Sequence, residues 1–258
     1  MAHEQGRREA NIQRAVSMIE SAPGHDLYVL PELASSGYGH EAFQRLDQLA
    51  EDADGPSFQA FSRLARARQC FICYSFPRRA QAGKPTICAA VVDRQGQLAA
   101  LYDKWHVCAY GDCSEQKYFA AGNGPAAVFS IDGIRVGICI CYDIRFPEIV
   151  RKLAVGEGAL LLLHPGGWPR DEGFSTWHTF VTTRAIENSM YIMSPNRAGP
   201  ENGCSIFCPP FVDFRESRPT ALGDAEGVLV GRVHLDHLEQ VRRTYTLLAD
   251  RRPDMYGT

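Results

Sequence analysis

A carboxylate, an ammonium and a thiol each stand just past an apolar run: Glu32 after LYVLP, Lys104 after LAALYD, and Cys141 after VGICI. Runs of this kind read as strands. In layered α/β folds, sites form at the carboxyl ends of strands. The three side chains complement one another chemically. A thiol is a soft nucleophile but is mostly protonated near neutrality, with a free pKa of about 8.5. A carboxylate can take its proton and later return it. An ammonium stabilises an oxyanion where charge develops. Together they suit acyl transfer through a thioester. Spacing alone does not single them out, because such residues stand near strand ends in many proteins.

The elements that must position them follow from periodicity. Ile12, Ala15, Val16 and Ile19 mark an amphipathic helix stopped by Pro23-Gly24. Phe58, Phe61, Leu64 and Ala65 mark another. Strands are expected at Leu27–Pro31 and Cys70–Phe76. Hairpins are expected at 87–92 with 98–102, and at 126–131 with 134–140 around Asp132-Gly133. A helix should open at Pro147 and stop at Gly156, and Ala159–Leu163 should be a doubly buried strand. Trp177, Phe180, Val181, Ala185 and Asn188 form a helical stripe, and Tyr191–Ser194 and Val228–Leu235 complete the strands. The pattern predicts an α/β (α+β) fold with mixed sheets and helices packed outside.

The 258 residues are 45% hydrophobic and 22% charged, which excludes a disordered or fibrous chain. No repeat or linker divides them, so the reading is one domain over residues 1–258. Lys plus Arg (27) against Asp plus Glu (30) gives a net charge of −3, with no basic footprint for nucleic acid. No apolar run approaches the roughly 18 residues of a membrane span. Met1 to Arg8 is polar, so the expected location is the cytoplasm. Nine cysteines, an odd number, read as mostly reduced and buried.

Rival readings attach to several residues. Cys70-x-x-Cys73 is a possible metal or redox half-site, but its strand setting favours core thiols. Cys139 reads as a core thiol on the strand face opposite Cys141, and Cys108 and Cys113 as incidental. His106 and His164 offer a Cys–His dyad, although Glu32 already supplies a base. Arg145 reads first as an ion pair with Glu148 or Asp143, and alternatively as a clamp for a substrate carboxylate. Tyr38, Tyr142 and Trp168 either wall a pocket or pack in the core. Arg251-Arg252 reads as a solvated or dimer-contact pair. Phosphate loops, serine elbows and zinc-protease motifs are absent from the sequence.

Seven segments carry a resemblance: LYVLPELASSGY (27–38), YDKWHV (102–107), EQKYFAAG (115–122), GICICYDIRFPE (137–148), PGGWP (165–169), RAIEN (184–188) and RRPDMY (251–256). In this order they resemble the nitrilase, or carbon–nitrogen hydrolase, superfamily. CYDIRFPE and RAIEN look closest to small-molecule amidases of the ω-amidase and deaminated-glutathione-amidase type. The resemblance implies Glu32 as general base, Lys104 as oxyanion stabiliser, Cys141 as nucleophile and Glu115 as the second glutamate ordering the lysine. The resemblance also implies that the Tyr142 backbone N–H completes the oxyanion hole. It further implies a four-layer α-β-β-α sandwich, assembled as a homodimer or higher even oligomer, needing no metal or organic cofactor. The implied substrate is a small amide. A nitrile or an N-carbamoyl compound is the alternative substrate, and a catalytically silent dimeric binding protein the alternative role. Specificity would lie in loops 108–116, 165–175 and 199–212.

Three features depart from that pattern. The first strand of the sandwich is missing ahead of the first helix, which predicts an open slot with unpaired backbone. Pro85-Thr86-Ile87 replaces a polar hairpin stretch, and Pro209-Pro210 in CSIFCPPFVDF (204–214) should divert the chain there.

Overall fold

Helix α1 (Arg8–Ser21) turns Ile12, Ala15 and Ile19 inward and ends just before Pro23-Gly24. The computed structural model describes residues 1–110, 114–213 and 217–256. After β1 (Leu27–Val29) come two short helices, α2 (His40–Phe43) and α3 (Leu46–Leu49), then α4 (Pro56–Arg68), with Pro56 in its first turn. The first sheet adds β2 (Phe71–Arg78), β3 (Thr86–Val92) and β4 (Leu98–Asp103), in the order β1-β2-β3-β4. Strand β1 runs parallel to β2, and the other pairs are antiparallel.

The second sheet is larger. It contains β5 (Ala127–Ile131), β6 (Ile134–Ile138), β7 (Leu161–Leu163), β8 (Tyr191–Ser194), β9 (Ile206–Cys208) and β10 (Thr220–Ala221), in the order β10-β9-β8-β7-β6-β5. Asp132 and Gly133 both take positive φ, 49° and 84°, as the tight turn between β5 and β6 requires. Helix α5 (Pro147–Arg151) continues as a π-helical turn over Lys152–Gly156. Helix α6 (Phe174–Asn188) buries Trp177, Val181, Ala185 and Asn188 against β8 and β9.

Alternation along each strand makes two cores. Cys73, Ile87, Ala89 and Val91 of the first sheet face Phe129, Val136, Ile138 and Leu161 of the second. Ile72, Tyr74, Phe76, Cys88 and Ala90 face the other way, onto Ile12, Ile19, Phe61 and Leu64 of α1 and α4. The result is the expected α-β-β-α sandwich. Cys70 and Cys73 fall in different cores, so they cannot act as one half-site. No helix of the described residues is long and apolar enough to cross a membrane.

Two expectations need correction. Val228–Leu235 is not a strand: residues 228–234 lie outside regular structure, and Leu235 opens α7 (Leu235–Thr244). A strand requires a neighbour, and none stands beside this segment among the described residues. Across from it, β1 is the edge of its sheet, and no described strand precedes α1. An apolar cavity of about 480 Å³ lies between them, lined by Leu27, Val29, Val136, Leu161, Phe207, Val228 and Val230. Pro209-Pro210 diverts the chain less than expected, because β9 pairs with β8 and ends at Cys208, before the prolines. Phe214 lies outside the described residues.

Candidate active site

Each candidate sits where a strand has just ended. Glu32 follows β1, Lys104 follows β4, and Cys141 lies three residues after β6. Their backbones are fixed before their side chains meet. Glu32 N–H donates to the Gly166 carbonyl (3.1 Å), Lys104 N–H to Ile87 (2.8 Å), and Cys141 N–H to Pro165 (2.9 Å). Glu115 opens a single turn, Glu115–Lys117, and completes the group.

The side chains converge. Lys104 Nζ donates to Glu32 Oε1 and to both oxygens of Glu115, each at 2.8 Å. All three side chains are fully buried. Glu115 also accepts from the Tyr38 hydroxyl at 2.5 Å and from the Cys108 N–H at 2.7 Å. Glu32 Oε2 is buried without a hydrogen-bond partner. Burial pushes Glu32 up to about 7, and the Glu115 charge adds to this against the pull of Lys104. Burial works against the Lys104 ammonium, but the two glutamates outweigh it and hold Lys104 well above its usual value. Burial, then the Glu32 charge, raises the Cys141 thiol, while Lys104 and the Gly167 N–H pull it back. The resting state is therefore a thiol beside a proton acceptor poised near neutrality.

Cys141 begins a 3₁₀ turn, Cys141–Arg145, at φ 45°, a strained setting for a non-glycine residue. Asp143 holds that turn. Its Oδ2 accepts from Ile140 N–H (2.9 Å) and Tyr102 O–H (2.8 Å), and its Oδ1 from His106 N–H (2.9 Å). The His106 ring lies 2.8 Å from Oδ1 and stacks on Phe146. His106 is thus a brace for the turn. Cys139 is buried in the core, as expected, but not on a face opposite Cys141. Residues two apart on a strand share a face; both cysteines border the core between the sheets, and β6 ends at Ile138 before the chain turns at Cys141.

Arg145 makes no ion pair with Glu148 or Asp143, whose carboxylate is engaged as above. Its guanidinium lies 4.6 Å from the Trp168 ring centroid and 5.1 Å from that of Phe180, close to Tyr110 and Tyr142, and its Nε is buried without a partner. Trp168 stacks on Trp177, while Tyr38 reaches Glu115 and so belongs to the polar cluster itself. Gly167 carries a role that the sequence reading missed: a Cβ there would sit 2.8 Å from Glu32 Oε2. The signal was the glycine pair within PGGWP. Cys113 lies outside the described residues. Among those residues, no cluster of three or more His, Cys, Asp or Glu is arranged to hold a metal ion.

Residues 1–243 match the family described as carbon-nitrogen hydrolase. The chain belongs to that family. Among curated proteins it is 31% identical over 259 residues to the 2-oxoglutaramate amidase of Bacillus subtilis, covering 97% of this chain and 95% of that protein. It is 30% identical over 267 residues to the deaminated glutathione amidase of Rattus norvegicus, covering 97% and 80% respectively. The crystal structure of a carbon-nitrogen hydrolase from Helicobacter pylori G27 superposes with a TM-score of 0.87 at 24% identity, covering 100% of this chain and 95% of that one, a likeness of fold. This carbon–nitrogen hydrolase therefore acts on non-peptide C–N bonds, and its amidase-named relatives support amide hydrolysis.

Proposed function

We propose that the chain hydrolyses the terminal amide of a small, carboxylate-bearing compound, releasing ammonia through a thioester on Cys141. The observation that carries this reading is the buried Lys104 ammonium held between two glutamates beside a strained cysteine. Glu32 takes the thiol proton, and the thiolate attacks the amide carbonyl carbon. The carbonyl electrons move onto oxygen, which Lys104 Nζ and the Tyr142 N–H hold. Glu32 returns its proton to the amide nitrogen, the C–N bond breaks, and ammonia leaves. Water, deprotonated by Glu32, then attacks the thioester, and the acid departs as the thiol is restored. Glu115 and Tyr38 keep Lys104 in place. Arg145 is the group that receives the distal carboxylate, because its guanidinium is banked on aromatic rings rather than committed to an acid. Pairing into a homodimer belongs to the same proposal.

The test is intact-mass spectrometry during turnover of a panel of small ω-amides, with Cys141→Ala as control. An acyl adduct on wild type, absent from the variant, supports the mechanism. Turnover without an adduct at Cys141, or release of ammonia only from nitriles or carbamoyl compounds, overturns the mechanism or the substrate class respectively.

A further inference from the structure

His164 is buried directly behind the nucleophile, and the steps above do not use it. Its Nε2 lies 2.9 Å from the carbonyl oxygen of Cys141, and its Nδ1 lies 2.7 Å from Ser194 Oγ. Trp177 Nε1 donates to that same hydroxyl at 3.0 Å. The three side chains are sealed from solvent. A carbonyl oxygen can only accept, so Nε2 must carry the ring proton; Nδ1 of the neutral ring then accepts the Ser194 proton, and Ser194 accepts in turn from the Trp177 indole N–H. Burial also holds His164 in its neutral form, down to about 4. Both ring nitrogens are occupied, so the ring is not the base of a Cys–His dyad.

The carbonyl it grips belongs to a particular peptide. Cys141 C=O and Tyr142 N–H are the two ends of one planar amide. Tyr142 is the second residue of the turn, so its N–H has no acceptor within the turn. A hydrogen bond at the oxygen end fixes the rotation of the plane and polarises the N–H at the other end. We propose that His164 is a positioning residue for the oxyanion hole: it aims and polarises the Cys141–Tyr142 peptide, while Ser194 and Trp177 hold its tautomer. This rests on the thioester reading.

The test separates acylation from simple thiol reactivity. Alkylation of Cys141 by iodoacetamide develops no oxyanion, whereas acylation does. His164→Met keeps the bulk and removes the donor. It should slow acyl-adduct formation about ten- to a hundredfold, below the cost of deleting an oxyanion donor outright, with KM within about threefold of wild type. Its alkylation rate should stay within about twofold. His164→Gln, which can place an N–H near the Nε2 position, should recover most of the loss, and Ser194→Ala should lose only severalfold. Equal acylation in wild type and His164→Met overturns the proposal. So does a matching fall in alkylation, which would make the ring a prop for the cysteine alone. If His164→Met fails to fold, the Gln and Ala variants carry the same comparison. Absence of any adduct in wild type would instead count against the thioester reading.

Discussion

The carboxyl end and the free edge of β1 present opposite solutions to burial. At its carboxyl end, charged groups are packed without solvent and nearly every polar atom is committed: Lys104 to three oxygens, Glu115 to three donors, Asp143 to both sides of a turn. Along its free edge, apolar side chains face a cavity of about 480 Å³, and Val228–Val233 crosses the far side without a ladder. Buried charge is tolerable only when paired, and one missing partner is costly. Apolar surface is undemanding, and an unfilled gap beside it costs little per contact. The site should therefore be brittle and the slot forgiving, and substitutions in each region test that contrast.

The largest effect should come from Lys104→Ala. It removes an oxyanion donor, worth about 10²–10³ in rate, and leaves two carboxylates buried face to face. Breaking such a pair costs about 3–5 kcal/mol. Thermal unfolding and single-turnover rates should both fall sharply; retention of more than a tenth of the activity would remove Lys104 from its role. Gly167→Ala is next. Its added Cβ would press on Glu32 Oε2, and a shift approaching 1 Å at the base costs about a hundredfold. Stability should change far less than kcat/KM. A variant with wild-type kinetics would show that the carboxylate has room to move.

Acidity gives the third test. Burial places Glu32 near 7, so kcat/KM should fall below neutrality as the base takes up a proton. Stability follows opposing linkages: Glu32 pulls one way, while His164, together with His3, which burial lowers to about 3, pulls the other. From 4.5 to about 7 the folded state keeps a proton on Glu32 that the unfolded chain has released, so stability drops as pH rises. From about 4 to 6.5 the unfolded chain protonates His164 while the folded state refuses, so stability climbs as pH rises. Each slope is about 1.4 kcal/mol per pH unit. Glu32→Gln removes the first and leaves the histidines. Its urea midpoint, measured against wild type, should rise between pH 5 and 6.5; parallel curves would refute the raised Glu32 value.

The sequence made the polar end legible and the apolar edge only partly so. Glu32, Lys104 and Cys141 could be found because each follows an apolar run, and the resemblance added Glu115, which no local pattern marks. Contacts between distant segments were invisible. Nothing in the spacing showed that Tyr38 reaches Glu115, that Gly167 makes room for Glu32, or that Asp143 braces a turn instead of pairing with Arg145. Hairpins at 86–103 and 127–138 were readable because their partners are adjacent in sequence. The strand expected at Val228–Leu235 failed for the converse reason: β-branched composition suits a strand, but pairing depends on a neighbour that composition does not report.

The smallest effects belong to the slot. Val228 and Val230 are 43% and 58% exposed, so neither contributes much buried area. Val230→Lys should leave stability within about 0.5 kcal/mol and ammonia release within about twofold. A lysine beside an unpaired edge discourages strand-to-strand association, so light scattering on heating should fall. Amide hydrogen exchange supplies the independent check. Residues 228–233, lacking ladder partners, should exchange close to the unprotected rate, while β3 and β6, paired on both sides, should exchange orders of magnitude more slowly. If Val230→Lys silenced the enzyme, or if 228–233 proved as protected as β3, the edge would be mechanically coupled to the charged cluster. The end and the edge of β1 would then be one cooperative unit rather than two regions under different rules.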